Sequence, residues 1–196
     1  VEGNKYAQGI LDHQLEWLKK DLAAVQDKED KLIIMCVHIP LRGTISTSKN
    51  YKAVVNLMLQ FKEAHVLSGH HHGVYNHNPS KDVTAGGKTF YDHNQIAAAG
   101  AWWQSNLNPD GSPNGYMIYN VKGNTVADYA LKGTAKDAGH QMRVYSGSVT
   151  YTVPSPFYNY DNWTKRFSWS DLGTNLSGKF VVHVFNADKQ NWEVNF

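Results

Sequence analysis

Lys31-Leu32-Ile33-Ile34-Met35-Cys36-Val37-His38-Ile39-Pro40 is the stretch that decides the fold. Its apolar run is continuous as far as Val37 and rich in β-branched residues, and Pro40 ends it. Such runs are typical of strands covered on both faces, as in a parallel sheet. The same reasoning predicts that Cys36, the single cysteine, is a buried small hydrophobe that forms no internal disulfide.

Helical periodicity is present on both sides of this strand. Upstream, Asp12 can cap a helix whose apolar residues recur at helical spacing, namely Leu15, Leu18 and Leu22. Downstream, residues 50–62 predict a second helix, and residues 65–68 predict a very short strand that ends at Gly69. Helix–strand–helix–strand with short connections argues for an α/β layer architecture.

Histidines follow both predicted strands. His38 comes after the first, and His70, His71 and His72 come after the second, between two glycines. In open α/β sheets, sites collect at the carboxyl ends of strands. A lone histidine in such a place is more often a solvated or core residue. Two groups at adjacent strand ends favour a metal site, with neutral imidazoles of His38, His70 and His72 as ligands.

The pattern changes after about residue 89. Strand-like segments follow at 89–97, 115–121, 125–131, 141–145, 148–153, 179–185 and 191–196, and Lys122-Gly123-Asn124 supplies a hairpin turn. We place a domain boundary near residues 133–139, which predicts domains at 1–135 and 136–196. The second would be a small all-β domain, which the abrupt end at Phe196 would leave incomplete.

Composition narrows the class of protein. The 196 residues are 41% hydrophobic and 18% charged, as in soluble globular proteins. A net charge of +2 with scattered Lys and Arg argues against a nucleic-acid partner. No stretch approaches the length of a membrane span. Ten histidines are the one compositional oddity.

The histidine motifs resemble those of a known family. His38-Ile39-Pro40-Leu41 and Gly69-His70-His71-His72-Gly73 are similar to the last two sequence blocks of calcineurin-like metallophosphoesterases. Further segments resemble a bacterial subgroup with an extra C-terminal β domain, and they include residues 99–103, 110–116, 139–145 and 182–186. The chain thus resembles the C-terminal part of such an enzyme. The fold implied is α/β, part of an αββα sandwich, followed by a small all-β domain.

The resemblance also implies a chemistry. The complete enzyme would be a phosphatase-like hydrolase of a small phosphomonoester or phosphodiester, with two divalent metals drawn from Mn, Fe, Zn or Ni. His38 and His70 would bind one metal and His72 the other. Trp102 and Trp103 could line the substrate cleft, or pack as one core and one surface residue. The subgroup's similarity to exported bacterial proteins favours a periplasmic or secreted location.

The family's earlier blocks, Asp-x-His, Gly-Asp-x-x-Asp and Gly-Asn-His-Asp/Glu, do not occur in this sequence. By the resemblance, the bridging aspartate, the asparagine ligand and the catalytic histidine would lie upstream of Val1. We therefore assign no catalytic residue to this chain, and we expect one weakly bound metal at most and no appreciable activity from it alone. Asp82 and Asp92 could approach the histidine turn, but loop solvation is the preferred interpretation.

Two further expectations concern surfaces. Without upstream strands, the edge of the strand from Lys31 would be exposed and would favour self-association. The alternative to an enzyme fragment is a non-enzymatic β module that binds a glycan or a protein. Its platform would be Phe157, Tyr158, Tyr160, Trp163 and Trp169, with the histidines incidental. The histidines outside the two motifs are interpreted as structural, namely His13, His65, His77, His93, His140 and His183.

Overall fold

A computed structural model describes residues 9–41, 49–77, 88, 90–99, 108, 112–146, 151–152, 166–167, 177–185 and 193. Its elements are α1 (Asp12–Ala23), β1 (Leu32–Cys36), α2 (Tyr51–Met58), β2 (Glu63–Ser68), β3 (Tyr75–His77), β4 (Phe90–Asn94), β5 (Gly115–Lys122), β6 (Thr125–Gly133), β7 (Met142–Ser146), β8 (Tyr151–Thr152), β9 (Arg166–Phe167) and β10 (Phe180–Val184).

The chain falls into two compact units. The first unit comprises Val1–His70, Tyr75–Asn94 and Val121–Ala127, and the second comprises His71–Val74, Gln95–Asn120 and Asp128–Phe196. The division into domains 1–135 and 136–196 stays a prediction.

The first unit contains a four-stranded sheet in the order β1-β2-β4-β3. β1 and β4 both run parallel to β2, and β3 is antiparallel to β4. Ile34 lies opposite His65, and His65 lies opposite Tyr91. The predicted mixture of helices with a parallel sheet is therefore present.

One face of this sheet carries the apolar core. Ala64 and Val66 of β2 and Phe90 of β4 are at most 1% exposed, and they pack with residues of both helices. The buried members of this core are Leu15, Leu41, Tyr51, Val54, Val55, Met58, Leu59, Ala64, Val66 and Phe90. Since nonpolar burial is the main favourable term in folding, α1 and α2 fix the sheet from this side.

The other face of β1 is exposed, which corrects the expectation that this strand is covered on both faces. Ile34 is 40% exposed and Cys36 is exposed, so Cys36 is not a buried hydrophobe. Ile33 and Met35 pack against the core instead, because alternate residues of a strand point to opposite faces. Because every residue of the run is apolar, the sequence did not show which residues face the core.

The helix ends also differ from the predictions. Asp12 is the first residue of α1 rather than its cap, and Leu11 is the cap, its N–H bonded to Gln14 at 2.9 Å. Hydrogen bonds from Lys49 (2.7 Å) and Asn50 (2.9 Å) lower the pKa of Asp12.

The second helix, α2, ends at Met58 instead of continuing to residue 62. The N–H groups of Gln60 and Phe61 bond to carbonyls three residues back, and this tighter turn leads into β2. Neither helix in the described part of the chain has the length and hydropathy needed to cross a membrane.

The second unit is built from strands. β5 begins and β6 ends in this unit, and they form a hairpin whose turn at Gly123, with a φ of 61° that suits glycine, belongs to the first unit. β7 pairs antiparallel with β10, and β8 with β9. A separate small core consists of Ile96, Leu131 and Phe185. Of the strand predicted at 148–153, the structure describes Tyr151 and Thr152, which form β8, and the strand predicted at 191–196 lies almost entirely outside the described residues.

A buried polar chain crosses the sheet face opposite the apolar core. Glu63 Oε1 lies 2.6 Å from His65 Nε2, and His65 Nδ1 lies 2.9 Å from His93 Nε2. The Val126 N–H donates to the same carboxylate oxygen at 2.9 Å, and Tyr91 stacks on both imidazoles. A carboxylate only accepts, so His65 donates through Nε2 to Glu63, and the donor in the His65–His93 contact depends on the tautomers of the two rings.

This polar chain is a structural feature rather than a metal site. His65 Nε2 is bonded to Glu63, and the 2.9 Å between His65 Nδ1 and His93 Nε2 is the usual length of a hydrogen bond. The interpretation of His65 and His93 as structural agrees with these contacts. No sequence pattern indicated that the two would pair, because their pairing depends on the register of β2 with β4.

Stability should fall in acid because of His93. Burial, with a smaller contribution from His65, lowers the pKa of His93 from 6.5 to about 3. Below pH 6.5 the unfolded chain therefore binds a proton that the folded chain does not. The free energy of unfolding should decrease by up to about 1.4 kcal/mol per pH unit as the pH falls from 6.5 towards 3.

Urea denaturation at several pH values measures this slope. His93→Gln should reduce it, whereas His13→Gln, at an exposed position of α1, should leave it unchanged. Equal slopes in the parent chain and the His93→Gln variant would show that His93 is not the responsible group.

Candidate metal-binding histidines

His38 and His70 lie next to each other because the parallel pairing of β1 and β2 continues past the ends of both strands. The Val37 N–H bonds to the Leu67 carbonyl at 3.0 Å, and the Gly69 N–H bonds to the His38 carbonyl at 2.9 Å. The two backbone segments that carry the histidines are thus tied together. This is the convergence at the carboxyl ends of neighbouring strands that the sequence predicted.

The side chains approach each other as well. His38 Nε2 lies 3.3 Å from His70 Nδ1. The ring centroids are 5.2 Å apart, and the planes meet edge to face at 79°. His38 is exposed and His70 is partly exposed, so a solute can reach both rings.

This separation suits two ligands of one metal ion. Imidazole nitrogens bind divalent metals at about 2.1 Å, so two of them at ligand angles of roughly 90–110° are about 3.0–3.4 Å apart. The observed 3.3 Å lies inside that range. It is longer than the usual ~2.9–3.0 Å of an N–H hydrogen bond.

The sharp backbone turns in this motif occur at the histidines and not at the glycines. His70 has a φ of 72° and His72 a φ of 53°, whereas neither Gly69 nor Gly73 has a positive φ. A Cβ at Gly69 would make only an ordinary 3.6 Å contact with the His38 carbonyl. Non-glycine residues with a positive φ are strained, and such strain concentrates at functional sites.

A buried hydrogen bond supports the strand end that leads into the turn. The Ser68 hydroxyl donates to Asp92 Oδ1 at 2.7 Å, and the two residues are 2% and 0% exposed. The expectation that Asp92 is solvated in a loop was therefore wrong, and Asp82 lies outside the described residues. Alternation along β4 could have revealed the burial, because Asp92 shares a face with Phe90 of the core.

Three further predicted site residues are His72, Trp102 and Trp103. His72 belongs to the second unit, and its role as a ligand stays a prediction. Trp102, Trp103 and the aromatic residues of the proposed binding platform lie outside the described residues. Within the described part of the chain, no group of three or more His, Cys, Asp or Glu could hold a metal ion. His38 and His70 are thus at most part of a centre.

Comparison with known proteins supports the resemblance stated for the sequence. The family model for the C terminal of Calcineurin-like phosphoesterase matches residues 92–196, just over half of the chain. No curated protein and no solved structure gives a significant match. The matched segment starts on β4, at the buried carboxylate that binds Ser68, and His38 and His70 precede it. This chain belongs to the calcineurin-like phosphoesterases, as a C-terminal portion of such an enzyme.

Proposed function

We propose that the chain supplies the histidine ligands of the metal centre in a calcineurin-like phosphoesterase that hydrolyses a small phosphomonoester or phosphodiester. The observation that carries this is the 3.3 Å separation of His38 Nε2 and His70 Nδ1. The family match supports the reaction class. In the complete enzyme the first unit would form part of an αββα sandwich, with a small all-β domain after it.

The histidines have distinct roles in this proposal. His38 and His70 hold one ion and His72 a second, each as a neutral imidazole donor, which suits Mn, Fe, Zn or Ni. Divalent metals in such enzymes polarise phosphoester oxygens and stabilise in-line displacement. The chain's own contribution is orientation. The Gly69–His38 backbone bond and the Ser68–Asp92 bond keep the two strand ends, and thus the two rings, in place.

The described residues of the site do not supply the negative charge that this reaction needs. Two-metal hydrolases hold their cations about 3.5–4 Å apart. A bridging carboxylate does this, and it also offsets their charge. Here the two converging ligands are imidazoles, which carry no negative charge, and the aspartate motifs of the family do not occur in the sequence. We infer that this polypeptide alone binds one metal at most, and weakly.

Metal binding should depend on both members of the histidine pair. Co²⁺ binding to the 196-residue chain, followed by its d–d absorption and by calorimetry, should weaken at least roughly tenfold in His38→Ala and in His70→Ala, because each loses a nitrogen ligand. His71→Ala is the matched control, since His71 is exposed in the same turn and is not a proposed ligand. Unchanged binding in His38→Ala would contradict the proposal.

The 196-residue chain should not turn over p-nitrophenyl phosphate above background with added Mn²⁺. The reason is that no carboxylate of a known family motif is present to bridge two metals. Release of p-nitrophenol is read by absorbance. Turnover that disappears in His38→Ala but persists in His71→Ala would show that the chain is catalytically sufficient.

We also infer self-association through β1. This strand lies at the edge of the described sheet, and Ile34 and Cys36 are exposed on it. Edge strands with apolar side chains favour pairing with another chain, and a lysine opposes it. Light scattering should give a mass above 22.0 kDa for the parent chain.

Ile34→Lys should lower that mass towards the monomer. Val121→Lys is the matched control, because Val121 is also an exposed apolar strand residue, at 51% exposure. A monomeric parent chain with a cooperative melt would rule out association through this edge.

A further inference from the structure

The second unit contains a basic cleft separate from the histidine pair. It has a volume of about 400 Å³, and its polar lining consists of Asn114, Thr134, Lys136, His140 and Arg143. No acidic side chain is among the described residues that line it. Lys136 and Arg143 thus contribute two permanent positive charges to the lining of a partly open cleft.

One wall of the cleft is a turn held by backbone and lysine hydrogen bonds. The Thr134 N–H bonds to the Asn114 carbonyl at 2.8 Å, and the Lys136 N–H to the Gly133 carbonyl at 3.2 Å. Lys132 Nζ donates to the carbonyls of Gly133 (2.7 Å) and Lys136 (2.6 Å). The ammonium group of Lys132 thus bonds within the turn, and these bonds hold the backbone at Lys136 in place.

Close packing constrains the same wall. A Cβ at Gly115 would clash with the carbonyl oxygen of Lys132, and a Cβ at Gly133 would come within 2.9 Å of Lys136 Cβ. Both positions therefore require glycine, since real Cβ atoms essentially never come so close. The cleft is shaped by the fold and not only by flexible side chains.

Gln141 holds the segment that carries His140 and Arg143. Its side chain accepts the Leu131 N–H at 3.0 Å and donates to the carbonyls of Leu131 (2.7 Å) and Ala138 (2.6 Å). The adjacent His140 ring packs on Phe185, whose centroid is 5.8 Å away. Arg143 follows on β7, opposite His183 of β10. The imidazole and the guanidinium are thus presented from a rigid support.

We propose that this cleft binds a small molecule bearing a tetrahedral oxyanion, a phosphate or sulfate group. The guanidinium of Arg143 offers paired donors that match oxyanion geometry, and the ammonium of Lys136 adds a point charge. A volume of about 400 Å³ exceeds a bare ion and falls in the range of small-molecule sites. Pro113 and Ala135 in the lining leave room for an apolar portion of the ligand.

Calorimetry on the whole 196-residue chain tests this site, in buffer with a chelator so that no metal can hold the anion at His38 and His70. Inorganic phosphate, sulfate and phenyl phosphate are compared with acetate at constant ionic strength. Phosphate or sulfate should bind and acetate should not. The ratio of the affinities for phosphate and sulfate identifies the preferred group. Tighter binding of phenyl phosphate than of inorganic phosphate shows that the cleft also holds an apolar portion of the ligand.

Lys136→Ala and Arg143→Gln should each weaken oxyanion binding roughly tenfold or more, because each removes a charged hydrogen-bond donor. Lys179→Ala is the matched control, since Lys179 is an exposed cation of the same unit outside the cleft lining. If Arg143→Gln fails to fold, Lys136→Ala still decides the question, because Lys136 is on an exposed turn.

Three results would overturn the proposal. They are no binding of phosphate, sulfate or phenyl phosphate, equal weakening by Lys179→Ala and Lys136→Ala, and loss of binding in His38→Ala. The first removes the ligand class, the second indicates a diffuse charge effect, and the third assigns the anion to the histidine pair. Because metal is chelated, failure here leaves the metal-centre proposal intact.

Discussion

The parallel pairing of β1 with β2 is the interaction on which the candidate site depends. Its hydrogen bonds continue beyond both strands, from Val37 to Leu67 and from Gly69 to His38. Without that continuation, the two histidines would be on independent loops, and ordering two free side chains would oppose metal binding. With it, the rings are brought to a spacing that a single ion can bridge. The sheet thus positions the two histidines before any ligand binds.

Buried polar bonds stiffen this sheet on both faces. The Ser68–Asp92 bond lies on the face of the apolar core, and the Glu63–His65–His93 chain lies on the opposite face. In a low-dielectric interior such bonds are strong, and losing one partner leaves a costly unsatisfied group. Both join β2 to β4. The strand that ends at the histidine turn is therefore held more firmly than backbone pairing alone would hold it.

Sequence patterns predicted the helices and strands well, and the burial of individual side chains less well. Motif position placed His38 and His70 together, because strand ends and chain order are visible in the residues. The exposure of Ile34 and Cys36 was missed, since a run that is apolar on every residue carries no period-2 signal. The burial of Asp92 was missed because a carboxylate is rarely fully buried, and its partner Ser68 is on another strand.

Asp92 also connects the family assignment to the histidine pair. The matched segment begins at this residue, whereas His38 and His70 precede it. By itself the match would therefore say nothing about the metal ligands. But β4, where the segment starts, runs parallel to β2, and the Asp92 carboxylate binds the Ser68 hydroxyl two residues before His70. A substitution that preserves the hydroxyl, such as Ser68→Thr, would keep that acceptor occupied, whereas Ser68→Ala would leave a buried carboxylate without this donor. The family segment thus supports the histidine turn from the neighbouring strand, and the two parts of the assignment depend on one sheet.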